Sequence, residues 1–404
     1  MGRLSDYCDI GSSKRIFAEQ TTDSGIPFYR GAEITDLANK RFPSNQKYIS
    51  KELYDDFSSK YYMPKINDIL ITAVGTIGSV WQVDTTEPFY YQDSISIILY
   101  NFKKSIEPKF LYYFLINESI QNYMKNSIIN SVQKKLSIDF LRNMEIDLPS
   151  IEEQKERVRN LEIIDSLIMN NNLLVTKLKE NLATNYSYWF HQFDFPDENG
   201  NAYKASGGKM VWNEELQREI PGGWEVVELK QFINEINVTP NETANIDTID
   251  LSVIPTNSLL INEYNSSNNF DTNLRVLEKG NILFGLIRPY LKKCLISPIN
   301  GIVTGTVAQF KPKEVTLTDF ILAMMTSDDY FQYAINNSTG TKMPVIKPSQ
   351  LLEYKFPINK TVLSNFTRKN SSHALIVNLL KQNNELIKYK KFLLPFILTG
   401  FPRE

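Results

Sequence analysis

Apolar residues recur through residues 151–190 at alternating steps of three and four. Starting from Leu161, the walk meets Ile164, Ile168, Asn171, Val175, Leu178 and Leu182, a seam held over about three heptads. Residues 151–190 contain neither glycine nor proline, so the pattern predicts one long helix. Ser150 stands where a cap is wanted, and Glu152 and Glu153 suit the positive end of the helix dipole. A similar walk near the C-terminus gives Ile376, Leu380, Asn383, Ile387, Lys390 and Leu394. There Pro395 is predicted to kink or end the helix and Gly400 to stop it. Elsewhere the period changes. Alternation at Ile95, Ile97 and Leu99, and at Val303 and Val307, predicts half-buried strands. Residues 110–124 and 320–334 carry helical spacing. Between the two halves, residues 191–223 are acidic and rich in Gly and Pro; they predict an irregular connector with one short helix over 212–218.

These patterns occur twice, at an offset of about 210 residues. Phe110-Leu-Tyr-Tyr-Phe with Tyr123 reads against Phe320-Ile-Leu-Ala-Met with Tyr333. Asp68-Ile-Leu reads against Asn281-Ile-Leu. The stretch from Lys135 to Leu148-Pro149 reads against that from Lys342 to Phe356-Pro357, and Asn171-Asn172 against Asn383-Asn384. The order and near-constant spacing predict an α+β protein made of two mixed α/β domains in tandem pseudo-repeat, each followed by a long helix. The two helices would form an antiparallel coiled coil with pseudo-twofold symmetry. The expected division is 1–149 for the first domain, 150–190 for the central helix, 191–222 for the connector, 223–358 for the second domain and 359–404 for the C-terminal helix. A helix of about 38 residues spans roughly 57 Å. Two domains spaced by such helices suit a target with two separated features, and duplex DNA read in two patches is the clear case.

Composition narrows the chemistry. The chain has 404 residues, a formal net charge of -2, two cysteines and two histidines. Cys8 and Cys294 cannot make a disulfide framework, and with His191 and His373 they cannot supply a thiolate-rich zinc site or a convincing nucleophile triad. The near-neutral charge means that any basic footprint for nucleic acid is local. No apolar run is long enough to span a bilayer, and the one near residues 392–398 is interrupted by Pro395. The N-terminus has no apolar signal core, which predicts a cytoplasmic protein. No Gly-rich cofactor loop with an Asn/Asp-Pro-Pro-Tyr/Phe string is present. Glu107-Pro-Lys109 and Glu153-Gln-Lys155 lack the Pro-Asp partner of a magnesium nuclease site. No catalysis and no metal site is therefore expected in this chain.

The candidate DNA contacts are loop cations, amides and hydroxyls, each weighed against ordinary solvated surface. Gln133, Lys134 and Lys135 precede a strand-like stretch, and Thr341 and Lys342 occupy the matching place after Gly340. Arg288-Pro-Tyr-Leu-Lys-Lys293 is the densest basic and aromatic cluster; Arg288, Tyr290, Lys292 and Lys293 are its candidates, since arginine can fork onto guanine and lysine can take phosphate. Arg30 and Lys47, with Lys40, Arg41 and Tyr48, form a sparser group offset by Glu33 and Asp36. Gly75-Thr-Ile-Gly78 lacks the Gly-Lys-Ser/Thr ending of a phosphate loop and reads as a tight strand connection, with Thr76 able to face a DNA backbone. Thr304 completes the set. Asn171 and Asn383 fall on the two seams. Either they tilt to solvent, as Asn172 and Asn384 are expected to do, or they form a buried polar pair that fixes helix register.

Several stretches resemble the specificity (S) subunit of type I restriction-modification systems. They are Ile146-Asp-Leu-Pro-Ser-Ile-Glu-Glu-Gln154, the helix ending Tyr188-Trp-Phe, the connector from Gln192-Phe-Asp-Phe through Gly-Gly-Lys-Met-Val-Trp-Asn to Ile-Pro-Gly-Gly-Trp224, and Phe396-Ile-Leu-Thr-Gly. The resemblance implies a non-catalytic subunit whose two target-recognition domains read a bipartite double-stranded DNA target. It implies two methyltransferase subunits held by the helices, and restriction/translocase subunits beside them. The whole complex would be an adenine-specific DNA methyltransferase and ATP-dependent endonuclease. S-adenosylmethionine, ATP and magnesium would then reside in the partner subunits, with no cofactor in this chain. One departure stands out: Pro357-Ile-Asn-Lys-Thr-Val replaces the family's Glu-Gln pair, so the second helix is expected to start differently or to dock its partner less tightly. The alternatives are a stand-alone two-domain DNA-binding scaffold, or the specificity subunit of a methyltransferase-only or type II-like system. A methyltransferase encoded beside the chain would set the specificity-subunit reading apart from the scaffold.

Overall fold

The computed structural model describes residues 2–39, 43, 46–129, 135–271 and 273–399. The chain divides into two compact units. One runs to Asp165 and takes in the segment from Tyr389 onward; the other is Ser166–Lys388.

In the first unit, an antiparallel sheet is ordered Asp9–Gly11, Ser96–Tyr100, Ile69–Thr72, Val80–Gln82. A second sheet is ordered Thr21–Thr22, Lys47–Ile49, Ile26–Tyr29, Tyr90–Tyr91, with the last pair parallel. Ile34, Leu70, Trp81, Phe89, Tyr91 and Ile98 pack into one core cluster, and Ile16, Phe28, Ile49 and Tyr90 into another. Four consecutive residues of Ser96–Tyr100 are buried. The strand is therefore covered on both faces, where the alternation at Ile95, Ile97 and Leu99 predicts a half-buried one. The helical stretch 110–124 is two helices, Pro108–Ile116 and Glu118–Ile129. They part at Asn117, which takes an extended backbone and accepts from Ser119 N–H at 3.0 Å.

The second unit repeats this plan. Its antiparallel sheet is ordered Ile233–Glu235, Val307–Pro312, Ile282–Gly285, Cys294–Ile296. Its other sheet is ordered Asn265–Ser266, Asp247–Ile249, Gly301–Thr304, Leu274–Leu277, and again the pairing of Asp247–Ile249 with Gly301–Thr304 is parallel. Val303 and Val307 thus lie on two strands of different sheets, and their spacing does not mark a single strand. The stretch 320–334 is likewise split, into Thr318–Met325 and Asp328–Asn336, with Ser327 capping the second.

Isolated backbone hydrogen bonds show the repeat at the level of single residues. Leu4 N–H donates to Met144 O at 2.8 Å, and Leu229 N–H to Tyr354 O at 2.9 Å. Lys103 N–H donates to Tyr7 O at 2.9 Å, and Lys313 N–H to Phe232 O at 2.8 Å. Each domain also closes on itself with a short antiparallel clasp: Gly2–Arg3 with Glu145–Ile146, and Glu225–Glu228 with Lys355–Ile358.

The central helix is Ile151–Tyr186 and ends in a widened turn over Ser187–His191. Ser150 Oγ accepts from Glu153 N–H at 3.3 Å, as a cap should. Leu161, Ile164, Asn171, Val175 and Leu182 of the seam are buried. The C-terminal part is not one helix. Lys360–Lys369 starts from a cap by Asn359, whose Oδ1 accepts from Thr361 and Val362 N–H at 3.0 and 3.1 Å. After Asn370 the chain breaks, then forms His373–Leu393. Asp319 receives the restart, accepting from Ser372 N–H at 2.8 Å and His373 N–H at 2.9 Å. The second helix stops before Pro395, and a short turn Phe396–Thr399 follows. Gly400 lies outside the described residues. Among the described residues, no helix is long and apolar enough to cross a membrane.

The connector holds a hairpin, Met210–Asn213 with Arg218–Pro221, in place of the short helix predicted at 212–218. Asn213 Oδ1 accepts from Leu216 N–H at 2.9 Å, and Gln217 takes a left-handed φ of 50°, which closes a turn and prevents helix growth. Phe193 and Phe195 pack against Trp224 within the second unit.

Candidate nucleic-acid interface

One edge of each domain is built in the same way. In the first unit, Ala73 N–H donates to Ile95 O at 2.6 Å and Ala73 O accepts from Leu136 N–H at 3.0 Å. In the second, Leu286 N–H donates to Thr306 O at 3.0 Å and Leu286 O accepts from Ile346 N–H at 3.0 Å. This frame joins the connection after the third strand to the loop that precedes the last helix of the domain. It therefore brings together candidates distant in sequence.

On the first edge, Thr76 is exposed in the Gly75–Gly78 turn, which connects Ile69–Thr72 to Val80–Gln82. Thr72 Oγ1 donates to Thr76 O at 2.5 Å and holds the turn. Lys135 is exposed and immediately precedes Leu136 of the frame. Gln133 and Lys134 lie outside the described residues, as do Lys40 and Arg41. Arg30 caps the helix Gly31–Ala38 and is held by Glu33, which is 2% exposed. Its Nε donates to Glu33 Oε2 at 3.2 Å, and that carboxylate raises the pKa of the guanidinium. Arg30 is thus engaged in satisfying a buried acid. Lys47 is exposed, with Asp23 at 3.9 Å.

On the second edge, Arg288 N–H donates to Pro344 O at 2.7 Å, which sets the Arg288 turn against the loop of Thr341 and Lys342. Arg288, Thr341 and Lys342 are exposed; Tyr290 is 49% and Met343 55% exposed. Lys292 pairs with Asp328 at 2.5 Å, and Lys293 Nζ donates to Leu251 O at 2.6 Å. Thr304 differs from the other candidates on this edge, being buried with its hydroxyl against that of Thr306, Oγ1 to Oγ1 at 2.9 Å.

One cluster escaped the sequence reading. Lys14, Arg15 and Phe17 are exposed, and the Arg15 guanidinium lies 5.1 Å from the centre of the Phe17 ring. Tyr90 fixes this segment, its hydroxyl accepting from Lys14 N–H and donating to Lys14 O, both at 2.9 Å. Two adjacent cations followed by an aromatic were the available signal.

The helices carry two polar contacts. In the second unit, Asn171 Nδ2 donates to Asn383 Oδ1 at 3.0 Å, and Asn383 Nδ2 donates to Asn172 Oδ1 at 2.8 Å. Asn172 is therefore corrected from solvent-facing to a member of the pair. Asn185 Nδ2 donates to Asn370 Oδ1 at 2.9 Å, so the two helical segments run in opposite directions there. In the first unit, Tyr113 Oη donates to Asp165 Oδ2 at 2.7 Å, and Lys390 Nζ donates to Asp165 Oδ1 at 2.6 Å while lying over the Tyr113 ring. Burial, then the Asp165 charge, push the Tyr113 hydroxyl well above its ordinary pKa, so it stays a donor.

Two repeated mixed domains, each clasped at its ends, the first followed by one long helix and the second by a broken one, define the plan of the chain. Residues 1–191 match the family model described as the type I restriction modification DNA specificity domain. The chain is similar to type I restriction-modification specificity subunits, and the family match lies in its first half. It is 34% identical to a putative type I restriction enzyme specificity subunit of Haemophilus influenzae, over 41% of this chain and 40% of that protein. It is 24% identical to the type I restriction enzyme MjaIX specificity subunit of Methanocaldococcus jannaschii, over 97% of this chain and 91% of that one. The fold matches the crystal structure of a type I restriction-modification S subunit from M. genitalium, with TM-score 0.54, 15% identity, and 100% and 96% of the two chains covered.

Proposed function

We propose that the chain selects a bipartite DNA sequence, each domain reading one half, while the helices set the spacing and hold two methyltransferase subunits. The observation that supports this reading is the duplicated frame at Ala73 and Leu286, which carries exposed polar and basic loops on the same edge of both domains. A duplicated edge suits a target of two parts, because each copy meets one groove segment. Loop cations would neutralise phosphates and hold position, and forked or amide side chains would read base edges.

In this reading the chain supplies no catalytic group. S-adenosylmethionine and the adenine chemistry belong to the methyltransferase partners, and ATP and magnesium to a translocating restriction subunit. The complex works on cytoplasmic DNA. Sequencing of methylated bases in a host carrying this chain and its methyltransferase tests the proposal. The expected result is methylated adenine within a two-part motif of fixed spacer. A contiguous motif, or methylation independent of this chain, would overturn it.

A further inference from the structure

We propose that the turn around Arg288 is a preorganised base reader, in which Arg288 reads a guanine and Tyr290 flanks it, while Lys292 and Lys293 hold the turn and read nothing. This rests on the reading of the chain as a DNA selector.

Both ends of the turn are left-handed, with φ of 52° at Arg288 and 49° at Lys292. Such backbone is unfavourable for residues with a Cβ and persists only where the surroundings impose it. The surroundings here are well defined. Arg288 N–H is held by Pro344 O at 2.7 Å, Asn257 N–H donates to Lys292 O at 3.0 Å, and Gly285 N–H donates to Lys293 O at 2.8 Å. Pro289 is buried beneath the turn. Both lysines have partners within the domain, Lys292 in a surface ion pair with Asp328 and Lys293 on the half-buried Leu251 carbonyl. At Gly285 an added Cβ would lie 2.6 Å from Leu251 Cδ1 and 3.1 Å from Lys293 Cβ, so the strand packs closely beneath the turn.

Arg288 and Tyr290 differ from the lysines. Both are exposed, and among the described residues no hydrogen bond or ion pair holds the Arg288 side chain. A rigid backbone presenting a free guanidinium loses little entropy on binding beyond that of the side chain itself. Its fork matches O6 and N7 of guanine in the major groove, whereas a phosphate is served equally by a lysine point charge.

The test is selection from a randomised duplex pool by the full chain assembled with its methyltransferase subunit. The wild type is expected to select a two-part motif with one strongly preferred guanine in one half. Arg288→Ala should lower the preference for that guanine about tenfold to a hundredfold and leave the other half unchanged. Arg288→Lys should keep the salt dependence of binding and still lose the guanine. Lys293→Met should weaken binding without altering the motif. Equal weakening of all sequences by Arg288→Ala, or a Lys variant that keeps the guanine, would overturn the proposal. So would an unchanged motif in both Arg288 variants, with the two-part reading intact. If the wild type selects no two-part motif, the functional reading itself fails and this inference falls with it. Matching melting curves for the variants guard against misfolding; if Arg288→Ala melts early, Arg288→Lys decides.

Discussion

Asn171 and Asn383 meet amide to amide on opposing helices, 3.0 Å apart and buried within a seam that is otherwise mostly aliphatic. Asn383 is fully enclosed and returns its own Nδ2 to Asn172. Sliding either helix by one turn would set these amides against aliphatic side chains. Each unsatisfied buried group would then cost about 1–3 kcal/mol, so the pair favours one alignment.

Replacing both residues, as Asn171→Leu with Asn383→Leu, is expected to raise the melting temperature and to permit slippage. Methylation assays on targets that differ only in spacer length should show broader tolerance. An unchanged spacer preference would mean that these residues do not set the ruler.

Tyr113→Phe removes the donor to Asp165 and should destabilise the first unit by about 1.5–3 kcal/mol, the range for a hydrogen bond to a charged group. Lys390→Met removes the other partner of Asp165. Chemical denaturation of the two single variants and the double should show non-additivity, because both act on one carboxylate.

Exchange of residues 1–149 for the matching domain of a relative should change one half of the methylated motif and leave the other. Methylation sequencing of the chimera reads this directly. A change in both halves would end the two-reader account.

Lys135→Ala is expected to weaken binding to all sequences about equally and to lower the salt slope by about one, as loss of a phosphate contact should. Titrations at several salt concentrations check it. A selective loss at one base position would make Lys135 a reader.

His191 links stability to pH. Burial lowers its pKa below the ordinary 6.5; Asp329, 3.1 Å away, opposes that shift and Arg218 reinforces it. The unfolded chain therefore binds the proton more readily, and this contribution to stability is present above about pH 6.5 and is lost as pH falls below it. Melting of the wild type between pH 7.5 and 5.5 should fall more steeply than that of His191→Gln. Parallel curves would show that another group governs the acid limb.

The helices were the most legible part of the chain. A seam walked from Leu161 finds the buried positions because burial and periodicity have one cause. The duplicated strands were legible as an offset in sequence. What stayed hidden depends on partners far along the chain. Nothing local shows that Asn117 will break a helix, that Asp319 will receive the helix restarting at His373, or that Asn172 will turn inward to Asn383. Among the candidate DNA residues, charge picked out the cations but could not tell a free one from an occupied one. Arg30 answers a buried Glu33, Lys293 answers a carbonyl, and only the fold separates them from Arg288.

The clasps that close each domain carry a genetic consequence. Gly2–Arg3 meets Glu145–Ile146, and Glu225–Glu228 meets Lys355–Ile358, so each domain begins and ends at one place. A recombination crossover outside a clasp transfers a complete module, with its folding closure included. If each domain reads one half of the target, as proposed, exchange of such a module would join two half-targets anew without altering the interior of either domain.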